Sequence, residues 1–189
     1  MAHVIPFRGV TYNPATIPDL AAVTTPPYDV ISPEGQEEAY ARHPRNVIRL
    51  ILGRIRDTDT DADNRYTRAA KDYGDWLKNG TLLRDRIPAF YLSTTEFDHG
   101  GRRLLRFGLI ALVKLEPFEK GIVLPHEKTF SRVKLDRLEL MKACGANFSP
   151  IFSLYSDSCC VIEALTRKLR ESPPTPLVKG GIRLVREDM

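Results

Sequence analysis

The sequence predicts an α+β fold, with a mixed, largely antiparallel sheet and flanking helices. Helix and strand patterns occur without a regular βαβ alternation, and one β-hairpin is clearly indicated. A chain of 189 residues with 42% hydrophobic content also supplies a core for about one domain. We expect an α+β domain over residues 1–157, followed by a divergent C-terminal helix and tail over residues 158–189.

An extended segment and a short helix open the chain. Prolines between positions 26 and 33 exclude a helix from residues 1–33, which we expect to lie on the body of the domain. Ser32 followed by Pro33 is typical of a helix N-terminus, because serine caps the free backbone N–H groups and proline suits the first helical position. The sequence predicts a helix from there to about Arg42.

A strand, a loop and an amphipathic helix follow. The apolar, β-branched run Asn46–Leu52 predicts a buried strand. The acidic residues 57–64 predict a solvated loop, at whose end Asp63 or Asn64 can cap a helix over residues 65–79. Apolar side chains recur at helical spacing in that helix, so we expect its stripe to face the core rather than a cofactor.

A β-hairpin is the firmest feature of the second half. Strand patterns over residues 89–97 and 103–115 flank the tetrapeptide Asp98-His99-Gly100-Gly101, which is typical of a hairpin turn. The remaining pattern predicts, in order, a helix, a strand, a helix and a proline-rich linker: Leu135–Cys144, Ser149–Tyr155, Cys160–Glu171 and residues 173–176.

Composition excludes several classes of protein. No apolar run approaches the roughly 20 residues of a membrane span, and the N-terminus lacks a signal-peptide pattern, which predicts a cytoplasmic protein without a membrane partner. The three cysteines and four dispersed histidines form no metal-binding pattern, and Cys144 is expected to pack. The net charge of +4 favours anionic partners but is mild for a nucleic-acid-binding protein.

Residues 121–157 concentrate ionisable side chains around turns and a short helix. The run Pro125-His126-Glu127-Lys128-Thr129 follows three apolar residues. Polar residues directly after an apolar run are typical of a strand end that places polar groups in a pocket. None of the motifs GxxxxGK[ST], GxGxxG, HExxH or GxSxG occurs. The chemistry therefore has to be inferred from residue types.

His126 and Glu127 are the candidate catalytic pair. Imidazole titrates near neutral pH, and an adjacent carboxylate raises its basicity. Neighbours in an extended strand point to opposite faces, so His126 would share a face with Lys128, and Glu127 with Thr129. The pattern is consistent both with a ligand site and with a turn held by hydrogen bonds and ion pairs.

A second set of candidates would bind a ligand. Lys134, Asp136 and Arg137 are predicted to begin a helix, where backbone N–H groups and basic side chains attract a phosphate; a solvated helix face is the alternative. Asn147 and Ser149 either contact the ligand or shape their own turn.

Two isolated residues complete the candidates. Arg49 lies within the predicted strand, where a buried guanidinium needs an anionic partner, although an edge strand would leave it in water. Asp29 either presents its carboxylate to the same site or caps local backbone amides.

The segments PPYDVIS, NVIRLIL, LPHEKT and GANFSPIFSLYSD, in this order, resemble an uncharacterised prokaryotic family called domain of unknown function 1015, whose members are often labelled SpoOJ/ParB-related. The resemblance covers roughly residues 1–160. It implies a distant relationship to the ParB/sulfiredoxin fold, carried in longer members by an aspartate-glycine-histidine-histidine-arginine motif that is absent here. The chain therefore looks like the N-terminal half of a longer architecture.

These observations lead to one main hypothesis and two alternatives. The main hypothesis is binding of a nucleotide, accompanied by Mg²⁺, or of another phosphorylated small molecule, with phosphoryl transfer or hydrolysis only in the complete architecture. One alternative is a fragment that assembles as an oligomer or with a partner supplying the missing half. The other is a non-enzymatic DNA-associated module that binds phosphates through Arg42, Arg45, Arg102, Arg103 and Arg106.

Overall fold

The computed structural model describes residues 2–126, 131–171 and 182–187 and confirms the α+β class. In place of one sheet, the described strands form three small sheets. No helix of these residues has the length and apolar composition that a bilayer crossing requires. The elements, in chain order, are β1 (Val4–Ile5), β2 (Val10–Tyr12), α1 (Pro33–Arg42), α2 (Ile48–Ile51), α3 (Arg65–Lys78), β3 (Leu82–Arg84), β4 (Phe90–His99), β5 (Arg102–Ile110), β6 (Leu112–Val113), α4 (Ser131–Cys144), α5 (Val161–Glu171) and β7 (Ile182–Glu187).

The chain divides into two compact units, each built from separate stretches of sequence. The hairpin unit, as we call it, consists of Met1–Gly9, Asp85–His126 and Ile151–Met189. The helical unit consists of Val10–Arg84 and Glu127–Pro150. A division after residue 157 stays a prediction.

The helical unit is built around α3, whose apolar stripe faces inward as predicted. Trp76 is fully buried and Tyr73 is 6% exposed. Leu50 of α2 and Leu82 of β3 complete this cluster, and Tyr12 of β2 packs against it. Burial of a large apolar side chain stabilises a fold by about 1.5–3 kcal/mol. Helix α3 therefore supplies the two largest side chains of this cluster.

Both ends of α3 carry the signals that its sequence predicts. The side-chain oxygen of Asn64 accepts hydrogen bonds from the backbone N–H groups of Tyr66 (2.9 Å) and Thr67 (3.2 Å). The Thr67 hydroxyl in turn accepts one from the backbone of Asn64 (2.9 Å), which completes a capping box. Gly80 follows the last turn with a φ of 75°, a left-handed conformation that favours glycine.

The N-terminal segment contains more local structure than a continuous extended chain. Residues 2–32 include β1, β2 and a short 3₁₀ turn at Tyr28–Val30. Helix α1 begins at Pro33, and its Ser32 cap accepts a hydrogen bond from the backbone of Gly35 (3.2 Å), as predicted. It ends before His43, whose backbone is extended.

The predicted strand Asn46–Leu52 is wrong, because Ile48–Ile51 forms the short helix α2. Asn46 is fully buried. Its side chain accepts a hydrogen bond from the backbone of Ile48 (3.0 Å) and donates one to the carbonyl of Ala22 (2.9 Å). These bonds turn the chain where a strand would have to begin. A short apolar run by itself does not distinguish a buried strand from a buried helical turn.

The hairpin unit contains the predicted β-hairpin. Strands β4 and β5 pair antiparallel along their length, and His99 lies opposite Arg102 at the turn. Gly100 and Gly101 form this turn with φ values of 57° and 72°, as a two-residue hairpin of this kind requires. Strand β7 runs parallel to β4, so the sheet order is β5-β4-β7 and this sheet is mixed.

Two further strand predictions are wrong. The strand predicted to reach Leu115 ends at Ile110, and the two residues of β6 pair with β1 instead. Ser149–Tyr155 forms no strand with the described residues, since β-propensity alone does not provide the neighbouring strand on which a ladder depends. The linker predicted over residues 173–176 lies outside the described residues.

Gly9 lies where the chain passes close to the ring of Tyr91. Its N–H donates a hydrogen bond to the Tyr91 hydroxyl (2.6 Å), and its carbonyl accepts one from the backbone N–H of Asp85 (2.9 Å). A Cβ at Gly9 would lie 2.5 Å from Cζ and from the hydroxyl oxygen of Tyr91. A side chain at this position would therefore displace the tyrosine.

We expect Gly9→Ala to lower the free energy of unfolding by about 1–3 kcal/mol, because Tyr91 must move to admit the methyl group. Urea denaturation followed by circular dichroism measures the change. The control is Gly74→Ala on α3, where an added Cβ meets no described atom within 4 Å. That variant should be neutral or up to about 1 kcal/mol more stable. Equal effects of the two variants would contradict the Tyr91 constraint.

Candidate functional site

Charged side chains of the helical unit converge on the carboxylate of Asp136 on α4. One oxygen accepts a hydrogen bond from the Tyr66 hydroxyl (2.7 Å) and forms an ion pair with Arg65. The other oxygen accepts a hydrogen bond from Nε of Arg137 (2.8 Å). Two guanidinium groups therefore share one carboxylate. We call these four residues the Asp136 cluster; as a group they carry a net positive charge.

The guanidinium of Arg137 is fixed by contacts other than Asp136. Its Nη1 donates a hydrogen bond to the Ile51 carbonyl (2.9 Å), and its Cζ lies 3.9 Å from the centroid of the Tyr28 ring. A cation–π contact is worth about 0.5–1 kcal/mol at an exposed site and more where it is desolvated. The hydrogen bonds to described residues use only part of the guanidinium's N–H donors. Arg137 is thus held in place with donor capacity remaining.

The pKa of Asp136 is lowered despite partial burial. Burial alone raises the pKa of this carboxyl, but hydrogen bonds from Tyr66 and Arg137 and the charges of Arg137 and Arg65 lower it further than burial raises it. Burial, followed by the hydrogen bond to Asp136, raises the pKa of the Tyr66 phenol. At neutral pH the cluster therefore contains an ionised carboxylate and a protonated phenol.

Two shallow depressions flank Arg137 and Leu140. Each has a cavity volume of about 10 Å³, which is room for roughly one water molecule. Neither depression is large enough to enclose a ligand, so any ligand at this place would lie on the surface beside Arg137. The first is lined by Leu50, Ile51, Leu52, Gly53, Arg65, Tyr66, Arg137 and Leu140. The second is lined by Arg137, Leu140, Met141, Ala146, Asn147, Phe148 and Ser149.

Four of the predicted ligand-binding residues meet around the second depression or beside it. Asp136 orients Arg137, and Asn147 and Ser149 lie on the wall beyond it. The side chain of Asn147 accepts a hydrogen bond from the backbone of Ser149 (3.0 Å), so this pair also shapes its own turn. Lys134 is exposed on α4, one turn before Arg137, and pairs with no acidic residue among the described ones.

Arg49 makes its described contacts outside the cluster. Its guanidinium lies 4.5 Å from the centroid of the Tyr40 ring, and Nη2 donates a long hydrogen bond to the Tyr40 carbonyl (3.4 Å). Its Nε is buried and has no hydrogen-bond partner among the described residues. Burial raises the pKa of Asp72, although the charge of Arg49 opposes this shift. Arg49 was predicted to lie on a strand, but it is a half-buried residue of the helix α2.

The remaining candidates are not brought together by the described residues. Glu127, Lys128 and Thr129 lie outside them. His126 is exposed and belongs to the hairpin unit. Asp29 is exposed and lies in the same 3₁₀ turn as Tyr28, whose ring contacts Arg137. The assignments of these residues stay predictions.

Three residues of the site escaped the sequence argument. Tyr28 follows two prolines beside Asp29, which was the only member of that dipeptide taken as a candidate. Tyr66 has the helical spacing of a core residue, and Arg65 lies at the first position of α3. No local motif marks either of them. Only the packing of α3 against α4 shows that both reach Asp136.

The five arginines of the DNA hypothesis are divided between the units. Arg42 is exposed at the end of α1, and Arg45 lies 5.9 Å from the Trp76 ring centroid, both in the helical unit. The other three lie on β5 in the hairpin unit: Arg102, Arg103 and Arg106.

The described side chains that could bind a metal ion do not cluster. Within the described residues, no three of His, Cys, Asp and Glu lie close enough together to hold a metal ion. Cys144 packs against the core of the helical unit, as predicted. Burial raises the pKa of its thiol to about 11, so it is protonated at neutral pH and is a poor nucleophile.

Comparison with known proteins identifies a family. The model of a family described as "Protein of unknown function (DUF1015)" matches residues 4–181. No curated protein and no solved structure matches the chain.

We expect Asp136→Asn to lower the free energy of unfolding at pH 7 by about 1–3 kcal/mol, because it leaves two partly buried guanidinium groups without their counterion. Since the pKa of Asp136 is lowered in the folded state, its stabilising effect is present above the unfolded pKa of about 3.9 and is lost as the pH falls through the folded pKa. Urea denaturation between pH 2 and 7 should therefore show the two proteins converging in acid.

The matched control is Glu139→Gln on the same helix. Glu139 is exposed and pairs only with Lys142 among the described residues. Its change should stay within about 0.5 kcal/mol and should not alter the pH profile. A difference between wild type and Asp136→Asn that is constant from pH 2 to 7 would contradict an ionised, paired Asp136.

Proposed function

This chain belongs to the family described as "Protein of unknown function (DUF1015)", and we propose that it binds a nucleotide or another phosphorylated small molecule beside Arg137 on α4. The observation that carries the proposal is the Asp136 cluster, in which Arg65 and Arg137 share one carboxylate. An anion that approaches Arg137 meets a positive charge that is only partly neutralised. Arginine suits phosphate because its planar N–H groups match two phosphate oxygens at once.

Pre-organisation supports this role. The Tyr28 ring and the Ile51 carbonyl hold the guanidinium of Arg137 before a ligand arrives. Fewer side-chain rotamers then have to be fixed on binding, and each fixed rotamer-rich side chain costs about 0.5–1.5 kcal/mol. A base and ribose would extend past Arg137 toward solvent.

The rest of the ligand site is assigned from the sequence. Lys134 would add a second cation one turn from Arg137, and Lys128 and Thr129 would contact phosphate oxygens from the preceding segment. Mg²⁺ would arrive with the nucleotide, because this ion keeps several waters and is usually held by one or two carboxylates together with substrate phosphates.

Catalysis is proposed only for the full-length architecture of the family. A relationship to ParB-type proteins would place phosphoryl transfer or hydrolysis there, with His126 or Glu127 moving protons. This chain by itself is proposed to bind.

The test is the melting temperature of the protein with and without millimolar ATP, ADP or CTP in the presence of Mg²⁺. A ligand of the native state raises apparent stability by about 2.7 kcal/mol at a concentration of 100 Kd. We expect one nucleotide to raise the melting temperature, and Lys134→Ala and Lys128→Ala to reduce that rise.

The matched control for Lys134→Ala is Lys142→Ala, at the far end of the same helix, where the side chain pairs with Glu139. Both variants remove an exposed lysine from α4, but only Lys134 lies one turn from Arg137. An equal loss in both would indicate a general charge effect. No rise with any nucleotide, or with inorganic pyrophosphate, would overturn the proposal.

A further inference from the structure

The β4–β5 hairpin separates its charged side chains between two faces. Alternate residues of a strand share a face, and the register places Arg102 opposite His99, Leu104 opposite Phe97 and Arg106 opposite Thr95. These six residues form what we call the basic face. Within β4 and β5, every acidic residue lies on the opposite face, and in the third strand of this sheet Glu187 is in register with Thr95.

The opposite face differs in charge and in coverage. It carries Glu96 and Asp98, and Arg103 forms an ion pair with Glu96 there. Phe107 on this face is half-buried, and the guanidinium of Arg167 from α5 lies 5.0 Å from its ring centroid. The face opposite the basic face therefore contacts a helix and holds paired charges.

The outer part of the basic face is apolar and exposed. Phe97 and Leu104 are each 39% exposed although they lie directly opposite one another. Phe152 is 71% exposed, and the guanidinium of Arg106 lies 5.9 Å from its ring centroid. Arg106 also donates a hydrogen bond to Thr95 (3.3 Å), which directs it across the sheet. The part of this face around Phe97, Leu104 and Phe152 is therefore open to solvent, whereas Thr95 is 3% exposed.

We propose that the basic face binds single-stranded nucleic acid. Bases would stack on the rings of Phe97 and Phe152, and Arg102 and Arg106 would contact the phosphates. Surfaces that bind single strands without sequence preference combine these two features, because every base has a π-face and every nucleotide a phosphate. Phe97 and Arg106 lie on neighbouring pairs of the same face, about 7 Å apart along the strands.

This composition distinguishes a single strand from two other anionic partners. An acidic peptide would pair with the arginines but leave the aromatic rings in water. A duplex keeps its bases stacked inside, and the described residues of this face present a β-sheet surface with two arginines instead of a helix for the major groove. The proposal uses only the hairpin unit, so it stands or falls independently of the phosphate site on α4.

The test is fluorescence anisotropy of a labelled 12-nucleotide single strand, as DNA and as RNA, titrated with the full chain at several salt concentrations. We expect the logarithm of affinity to fall with the logarithm of salt with a slope of about −1.4, since two phosphates are neutralised. Phe97→Leu keeps the apolar packing but removes the ring, and it should weaken binding about fivefold or more. Arg102→Ala should reduce the slope by about 0.7.

The matched control is Arg103→Ala, which removes the same charge from the neighbouring residue on the opposite face. It should leave affinity and slope unchanged. Equal losses in Arg102→Ala and Arg103→Ala would overturn the proposal, as would undetectable binding at 50 mM salt. Tighter binding of a duplex of the same sequence, or full competition by polyglutamate, would also overturn it. Circular dichroism melts of each variant ensure that losses are compared between folded proteins.

Discussion

The burial of Trp76 is the constraint on which the helical unit depends. Its ring is enclosed completely, with Tyr12 at 6.2 Å between ring centroids and Leu50 and Leu82 in the same cluster. These contacts join α3 to β2, which lies far from it in sequence, and to α2 and β3, which lie on either side of it in the chain. Removing a buried tryptophan side chain costs about 3–5 kcal/mol, a large share of the stability of an ordinary domain.

The same helix determines where the charges are. Asn64 fixes the start of α3, and its first two residues, Arg65 and Tyr66, are thereby directed to Asp136 on α4. The contacts of α3 thus include an apolar region around Trp76 and a charged one at its N-terminus. A partly buried carboxylate between two guanidinium groups is tolerated because hydrogen bonds from a phenol and from Arg137 offset its desolvation. Packing and electrostatics in this unit are therefore two consequences of one helix position.

Elements defined by local signals could be predicted from the sequence, and those defined by distant partners could not. Helix α3 and the hairpin turn follow from capping and glycine positions that act within a few residues. The strand prediction for Asn46–Leu52 was wrong because the side chain of Asn46 donates a hydrogen bond to the carbonyl of Ala22. A local sequence pattern does not show a contact with so distant a residue. Asp136 and Arg137 were predicted at a helix start, but α4 begins at Ser131 and both residues lie in its middle, whereas Arg65 reaches the site only through tertiary packing.

The discontinuity of the hairpin unit has a kinetic consequence. Strand β1 can pair with β6 only after Val113 has been made, because Val4 lies opposite Val113. Ribosomes add about 5–20 residues per second, so the N-terminal strand waits roughly 5–20 s for its partner. Closing so long a loop also carries an entropic cost that grows with its length. Val10–Arg84, by contrast, is continuous and already holds the buried residues around Trp76. During synthesis, the segment made first is therefore among the last to find its place.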